Sequence, residues 1–273
     1  MAILTIAREL GSICDGEELA LCSALNLYCI NKTFLEKRFR EMGVDRTILT
    51  RFDECKPKMS IFSDASGLYW ESLQTVLMKE LLNDNLAIIG RGGNFLLKNM
   101  VDCFRIRLIA PLEYRVRVIT RECDCSEDAA IKAIRLSDSE REKFCRYYYD
   151  RSWQDPTGYD LIINTAEVPM EKIAALLPPL LPPSVTDARR SQLQLAVQEQ
   201  IIRHALYSAP DFHSGYCNIR CLADGTVILS GDVSSGHAAA RAEEIARSIP
   251  GVTDVKNELK IAIDDMMFAH IGW

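Results

Sequence analysis

The stretch ILTIARELGSICDGEELA, residues 3–20, combines the three features that set the fold. An apolar run of five residues comes first, a loop with two glycines follows, and a helical pattern ends the stretch. Gly11 and Gly16 have the spacing of the G-x-x-x-x-G-K-[ST] loop, in which backbone amides surround phosphate oxygens. Glu17 and Glu18, however, stand where that loop has a lysine and a hydroxyl side chain. The stretch therefore predicts a strand, an anion-binding loop and a helix, with the charge of the loop reversed.

The composition narrows the class of protein. The 273 residues suffice for one large domain or a domain and a half, and 48% of them are apolar, which supports a hydrophobic core. The 32 basic and 38 acidic residues give a net charge of −6, which argues against broad binding of nucleic acids. No secretion signal is evident, and no window approaches the roughly 18 apolar residues of a membrane span. We therefore expect a soluble cytoplasmic protein whose ten cysteines are reduced.

Four short apolar runs alternate with helical patterns in the first part of the chain. The runs span residues 3–7, 86–89, 104–110 and 161–164, and they are typical of strands buried on both faces of a parallel sheet. The helical patterns span residues 16–25, 67–82, 112–121 and 126–149. This alternation predicts an α/β fold whose ligands bind beyond the carboxyl ends of the strands. Residues 34–66 form a charged insertion, either a lid over that edge or a solvated helical hairpin.

The composition changes near residue 178, where a second unit begins. Four prolines within residues 178–183 cannot continue a helix, so residues 178–190 are interpreted as a linker between residues 1–177 and 191–263. In the second unit, helical patterns cover residues 191–206 and 237–248, and strand patterns cover residues 217–221, 226–230 and 255–263. The pair Asp224-Gly225 predicts a turn between the first two strands. These patterns predict a small α+β module, followed by an apolar tail at residues 264–273.

Other kinds of site have little support in the sequence. All four histidines follow residue 203, which excludes a histidine-based triad centred in the first unit. Cys123 and Cys125 have no second cysteine pair and no histidine nearby, so no metal site is predicted. The aromatic residues at positions 147–149 and Trp153 either stack on a base or pack onto the sheet, and we favour packing.

Six segments of the first 170 residues resemble the cytidylate kinase-like family, a branch of the nucleoside monophosphate kinases with a P-loop fold. They are ILTIARELGS (3–12), AIIGRGGN (87–94), APLEYRV (110–116), DSER (138–141), WQDP (153–156) and YDLIINT (159–165). No single segment is specific, but their order and spacing are. The resemblance implies a parallel sheet flanked by helices, a nucleoside monophosphate such as CMP or dCMP as substrate, and ATP with Mg²⁺ as cofactors.

Residues 191–262 resemble a BON domain. The segments that carry the resemblance are VILSGDV (227–233), an alanine-rich helix, and PGVTDVKN (250–257). Domains of this kind are associated with membranes or with the binding of proteins and ligands, and not with catalysis. Association of the chain would then occur either as a homo-oligomer or through a partner of the BON-like unit.

The resemblance to the kinases also implies roles for individual residues, because phosphoryl transfer requires groups that position phosphates and neutralise their charge. The catalytic candidates are Arg115, Asp138 and Arg141; the candidates for binding the donor nucleotide are Arg8, Gly11, Ser12, Gly16 and Arg121; the candidates for binding the substrate are Arg91, Gly92, Arg46 and Arg51. The alternatives are an arginine in a glycine-rich turn for Arg91 and a surface ion pair at i, i+3 for Asp138 and Arg141.

The loop departs from the family pattern, since Ile13-Cys14-Asp15 replaces two glycines and a basic or polar residue. Two unit charges about 4 Å apart interact by roughly 4 kcal/mol at an effective dielectric of 20, so carboxylates facing the phosphates would weaken donor binding strongly. Alternatively, Gly16 starts the helix, and the two glutamates stabilise its first turn. Three hypotheses follow: a nucleoside monophosphate kinase, an inactive sensor that signals through the BON-like unit, and a scaffold that binds neither nucleotide.

Overall fold

The computed structural model describes residues 2–45, 64–83, 85–97, 102–182, 186–209, 212 and 214–262. The chain divides into two compact units, Met1–Leu193 and Gln194–Trp273, which are described separately below. Arg46, Arg51, most of the predicted insertion and the tail at residues 264–273 lie outside the described residues.

The first unit contains a five-stranded parallel sheet. Its strands are β1 (Ile3–Arg8), β2 (Tyr28–Ile30), β3 (Leu86–Ile89), β4 (Phe104–Ile109) and β5 (Leu161–Asn164), in the order β2-β3-β1-β4-β5. The order places β1 in the centre, paired in parallel with both β3 and β4. The loop after β1 therefore emerges in the middle of the carboxyl edge, where open α/β sheets bind their ligands.

Seven α-helices flank this sheet in the described part of the first unit. They are α1 (Glu17–Ala24), α2 (Lys32–Glu41), α3 (Asp64–Glu80), α4 (Gly93–Leu96), α5 (Leu112–Cys123), α6 (Glu127–Tyr149) and α7 (Met170–Leu176). Side-chain caps fix two of the helix starts, because Asn31 accepts a hydrogen bond from the Phe34 amide and Ser126 accepts one from the Ala129 amide. The four predicted helices and four predicted strands of the α/β pattern are confirmed. Strand β2 was missed because it has only three residues and lies at the sheet edge, with Tyr28 exposed.

The core of the first unit lies on both faces of the central strands. Leu4 and Ile6 of β1 are completely or almost completely buried, as are Ile106 and Leu108 of β4. Residues of α1 and α7, including Ile173, pack against them in one cluster. Such burial explains why β1 appears in the sequence as a nearly continuous apolar run, whereas Arg105 and Arg107 interrupt the run of β4.

The second unit is a three-stranded sheet packed against helices. Helix α8 (Asp187–Ser208) leads into it, and β6 (Ser214–Cys221), β7 (Thr226–Val233), α9 (Gly236–Ser248) and β8 (Asp254–Ile261) follow. Strands β6 and β7 are antiparallel, whereas β7 and β8 are parallel. The predicted turn is present, with the Asp224 carboxylate accepting a hydrogen bond from the Thr226 amide at 2.9 Å. Before this unit, Pro178–Leu180 forms a 3₁₀ turn, and α8 begins four residues before the predicted position.

None of the helices in the described ranges has the length and apolar character needed to cross a membrane.

Candidate functional site

A cavity of about 570 Å³ opens at the carboxyl ends of β1 and β3 in the first unit. Its wall includes the end of β1, the first turns of α1 and α2, the glycine-rich turn after β3, one face of α6, and Trp153. Four basic residues line it: Arg8, Lys32, Arg91 and Arg141. The cavity therefore combines the position expected of a ligand site in this fold with groups that attract an anion.

The turn after β3 holds Arg91 in an unusual backbone conformation. Gly90, Arg91 and Gly92 have φ angles of +71°, +56° and +63°, so three successive residues are left-handed. This conformation costs a non-glycine residue roughly 1–2 kcal/mol, and it persists only where its surroundings enforce it. Here the Tyr149 hydroxyl donates to the Arg91 carbonyl at 2.7 Å. Arg91 is buried, and its guanidinium donates to the Tyr69 hydroxyl at 3.2 Å. A Cβ at Gly92 would overlap the ring of Tyr149, so this position requires glycine.

One face of α6 forms a long wall of the cavity. The residues on this face recur every three or four positions, as expected of a helix: Ala133, Leu136, Ser137, Glu140, Arg141, Phe144 and Cys145. Arg141 donates to the Ser137 hydroxyl and lies over the ring of Trp153, with 5.6 Å between the guanidinium carbon and the ring centroid. Arg141 and Trp153 are thus brought together at the cavity, although 12 residues separate them in the sequence.

Arg115 and Asp138 instead form a clasp between two helices and the loop after β1. The Arg115 guanidinium donates to both Asp138 oxygens at 2.8 and 3.0 Å, to the Leu10 carbonyl at 2.8 Å, and lies 3.4 Å from the Glu9 carboxylate. The loop approaches α5 so closely that a Cβ at Gly11 would lie 2.7 Å from the Arg115 carbonyl oxygen. Neither residue of the clasp lines the cavity, so in this state both position the loop and α6.

Ser12 also points away from the cavity. It is completely buried, and its hydroxyl donates to the Glu9 carbonyl at 2.8 Å. Its own carbonyl accepts a hydrogen bond from the Thr165 hydroxyl, which joins the loop to the residue after β5. Direct contact between the Ser12 hydroxyl and a phosphate would require this part of the loop to rearrange.

Two carboxylates occupy amides of the loop at which phosphate oxygens would be expected. Glu17 accepts a hydrogen bond from the Cys14 amide at 2.6 Å, and Glu122 accepts one from the Asp15 amide at 2.8 Å. Gly16, with φ +84°, is the N-cap of α1, so the interpretation in which Gly16 starts the helix and the glutamates lie in its first turn is correct. Glu17 therefore has two effects: it stabilises the first turn of α1, and it occupies the Cys14 amide of the loop.

Arg8, the basic residue at the end of β1, is paired as well. Its guanidinium lies 3.0 Å from Glu18 Oε1, and the side chains are 27% and 10% exposed. Arg121, the other basic candidate near the loop, is exposed and donates to the Cys14 sulfur at 3.2 Å. Burial, followed by the nearby charges of Glu17 and Glu122, raises the pKa of the Cys14 thiol, so it remains protonated beside the loop.

These contacts bear directly on ATP as a ligand. The Cys14 and Asp15 amides and the Arg8 guanidinium all carry carboxylates of this chain, so a triphosphate does not fit the loop as it stands. The part of the chain that the structure describes contains no cluster of three or more His, Cys, Asp or Glu side chains placed to bind a metal ion. The acceptor side, around Arg91 and Arg141, has an open cavity. A second cavity of about 390 Å³ lies beside the loop, but there the Cys14 and Asp15 amides and Arg8 already contact carboxylates.

The aromatic residues at the end of α6 pack as expected, but against a different element. Tyr148 stacks on Trp70 of α3, with ring centroids 4.7 Å apart and planes inclined by 15°. The predicted contact with the sheet is therefore replaced by a contact with α3. Trp153 differs from the tyrosines because it lines the cavity beneath Arg141 and also contacts Arg107, whose guanidinium carbon lies 4.5 Å from the ring centroid.

Two charged residues of the cavity were not identified from the sequence. Lys32 begins α2 and follows the Asn31 cap, and Glu140 stands on the cavity face of α6. Helical spacing from Arg141 would have placed Ser137 and Phe144 on the same face, and Glu140 between them. No signal in the sequence shows that Glu140 is a largely buried residue of the cavity wall.

A parallel sheet in the order 2-3-1-4-5, with helices on its faces and a glycine-containing loop after the central strand, defines a kinase-type P-loop domain. The chain belongs to the cytidylate kinase-like family, whose model matches residues 3–167. Residues 194–263 match the BON domain model.

Individual relatives match shorter parts of the chain. A cytidylate kinase from Sulfolobus acidocaldarius is 37% identical over 95 residues, which cover 34% of this chain and 51% of that protein. A uronate isomerase from Corynebacterium glutamicum is 32% identical over 98 residues, which cover 36% of this chain and 19% of that protein. The chain thus spans about half of one of these curated relatives and about a fifth of the other. A crystal structure of shikimate kinase from Bacteroides thetaiotaomicron shares 17% identity and a TM-score of 0.42, over 66% of this chain and 97% of that one.

Proposed function

We propose that the first unit phosphorylates a nucleoside monophosphate, CMP or dCMP, with ATP and Mg²⁺, and that the carboxylates on its loop keep this reaction slow. The observation that carries the proposal is the cavity of about 570 Å³ with Arg8, Lys32, Arg91 and Arg141 in its wall. Membership of the cytidylate kinase-like family supports a reaction of this type.

The residues of this chain would divide the work as follows. Arg91, fixed by its strained turn, would bind the phosphate of the monophosphate, and Arg141 would neutralise charge on the same ligand. Arg115 and Asp138 would hold Leu10 and α6 in place. Arg46 and Arg51 stay predictions for the recognition of the substrate.

ATP would supply the phosphoryl group and Mg²⁺ would offset its charge. Both require Glu17, Glu18 and Glu122 to leave the loop amides and Arg8, because like charges repel at these distances. We place the protein in the cytoplasm, where nucleotides are abundant and where the free cysteines at nine described positions would stay reduced.

Titration calorimetry with CMP, followed by a coupled assay of ADP release, tests the proposal on the full chain. We expect CMP to bind the wild type and Arg91→Met to lose this binding, since methionine keeps much of the buried volume but not the charge. Circular dichroism serves as the control for folding. Absence of turnover with every nucleoside monophosphate would overturn the transferase assignment.

A second function, nucleotide sensing without catalysis, is favoured by the contacts of Glu17 with the Cys14 amide and of Glu18 with Arg8. In that case the ligand state of the first unit would be transmitted through the BON-like unit, to a partner or to a second copy of the chain. A rise in melting temperature with CMP and no ADP release would support this function. Light scattering with and without CMP would show whether the signal is self-association.

A further inference from the structure

Glu140 is a largely buried residue whose side chain lies in the wall of the cavity. The residue is 7% exposed and lies on the cavity face of α6. Its carboxylate forms neither a hydrogen bond nor an ion pair with any other residue in the described ranges. The Glu140 oxygens are not fully enclosed by protein atoms, so a donor that enters the cavity can reach them.

A second glutamate on the same helix shows how such a group is normally satisfied. Glu142 accepts hydrogen bonds from Arg146 at 2.9 Å, from the Ser152 hydroxyl at 3.0 Å and from the Trp153 amide at 2.9 Å. Burial opposes ionisation there, but these hydrogen bonds outweigh it and lower the pKa of Glu142. The unpartnered state of Glu140 is therefore not a general property of this helix.

The cavity contains another acceptor without a donor. Glu18 pairs with Arg8 through Oε1, while its other oxygen, Oε2, is buried and has no hydrogen-bond partner. Ionised carboxylates only accept hydrogen bonds, so both groups lack a donor among the described residues, but only the Glu140 oxygens can be reached from the cavity as it stands.

The other residues of the cavity wall restrict the kind of ligand that could supply such a donor. Arg91 and Arg141 attract an anion, and Leu19 and Leu136, which are 44% and 57% exposed, add apolar surface. A ligand that matches all of these groups carries a phosphate, a partly apolar body and hydroxyl or amino groups. Inorganic phosphate matches only the arginines.

We infer that Glu140 recognises the ligand, by accepting a hydrogen bond from a hydroxyl or amino group of a phosphorylated molecule in this cavity. The inference rests on the proposed function, because the probes are nucleoside monophosphates. It adds a residue that selects against anions without donors: the carboxylate attracts a donor and repels a bare phosphate.

The test is titration calorimetry of the full chain and its variants with CMP, dCMP, UMP and inorganic phosphate. A hydrogen bond to a charged group contributes about 1.5–3 kcal/mol, so Glu140→Gln should weaken CMP binding roughly 10- to 100-fold. The same variant should bind inorganic phosphate as well as the wild type or more tightly. Asp128→Asn, which removes an exposed carboxylate from the first turn of α6, is the matched control and should bind CMP like the wild type.

The other nucleotides identify the donor. If the effect of Glu140→Gln is absent with dCMP, the donor is the 2′-hydroxyl; if it is absent with UMP, the donor is the base amino group. Glu140→Asp, which keeps the charge but shortens its reach, should lose less affinity than Glu140→Gln and serves if the glutamine variant does not fold.

Three results would overturn the inference. Glu140→Gln and Glu140→Asp could both bind CMP like the wild type, which leaves the proposed function intact. Glu140→Gln could weaken CMP and inorganic phosphate equally, which indicates a general effect on the fold of the cavity. Failure of the wild type to bind any of the three nucleotides would remove the proposed function, and this inference with it.

Discussion

Glu18→Gln should open the donor side of the site. The Glu18 carboxylate lies 3.0 Å from the Arg8 guanidinium, and the two side chains are 10% and 27% exposed. At that distance and an effective dielectric of 20, the Coulomb attraction is about 5.5 kcal/mol. Solvent around Arg8 screens part of it, and a charge-assisted hydrogen bond contributes about 1.5–3 kcal/mol net. A phosphate oxygen that replaces the carboxylate beside Arg8 would gain an amount of this size.

We therefore expect Glu18→Gln to bind ATP with Mg²⁺ roughly 10- to 100-fold more tightly than the wild type, as measured by titration calorimetry. Glu171→Gln is the control, because Glu171 is an exposed residue of α7 with the same charge. Combining Glu18→Gln with Glu17→Gln should strengthen binding further, since it frees the Cys14 amide. Glu17→Lys should restore the basic residue that the loop lacks.

The folded state of each variant should be checked by thermal melting. Arg8 loses a partner in Glu18→Gln, but its contact with solvent limits the loss of stability to about 1–2 kcal/mol. The proposed effect of Glu18 on donor binding is refuted if Glu18→Gln is folded and binds ATP no more tightly than Glu171→Gln does. That result would mean that the carboxylate does not face the donor phosphates.

Three further predictions concern stability and reactivity. Gly11→Ala should lower the free energy of unfolding, measured in urea, by about 3 kcal/mol or more, because its Cβ would lie 2.7 Å from a backbone oxygen. Gly43 is also left-handed but lies in open space, so Gly43→Ala should cost only about 1–2 kcal/mol. Equal losses in the two variants would contradict this prediction. Asp138→Asn should cost about 2 kcal/mol, and a double-mutant cycle with Arg115→Met should give a coupling energy above about 1 kcal/mol; additive losses would show that the clasp does not contribute. Burial raises the pKa of the Cys103 thiol to about 11. The thiolate fraction of Cys103 at pH 8 should then be about two hundredfold below that of an ordinary cysteine, so its alkylation by iodoacetamide, followed by mass spectrometry, should be correspondingly slow. Alkylation of Cys103 as fast as that of an exposed cysteine would contradict this prediction.

Most of the architecture could be predicted from the sequence because the relevant signals are local. Residues 126–149 were predicted as one helix, and the structure has α6 at Glu127–Tyr149. Strand β2 was missed because three residues at an edge produce no run long enough to recognise. Residues 86–89 were predicted as a strand and followed by the glycines that frame Arg91, so the position of the turn was also accessible.

The partners of the charged residues were not accessible in this way. Asp138 was predicted to share a face with Arg141, yet in space it pairs with Arg115, 23 positions earlier in the chain. Glu140 stood in a recognised motif, but whether its carboxylate reaches solvent, a cation or a cavity depends on residues of other elements. The left-handed conformation of Arg91 depends likewise on Tyr149, which lies 58 positions away.

The sequence by itself determined the alternation of strands and helices, the parallel sheet and the place of the loop after β1. These follow from apolar periodicity, which acts within a few residues of one segment. Only the tertiary structure decided that Glu17 occupies the Cys14 amide, that Glu18 pairs with Arg8, and that the cavity beside Arg91 stays open. The physical reason is that electrostatic energies depend on separations of a few ångströms between side chains, and folding, not order in the chain, sets those separations.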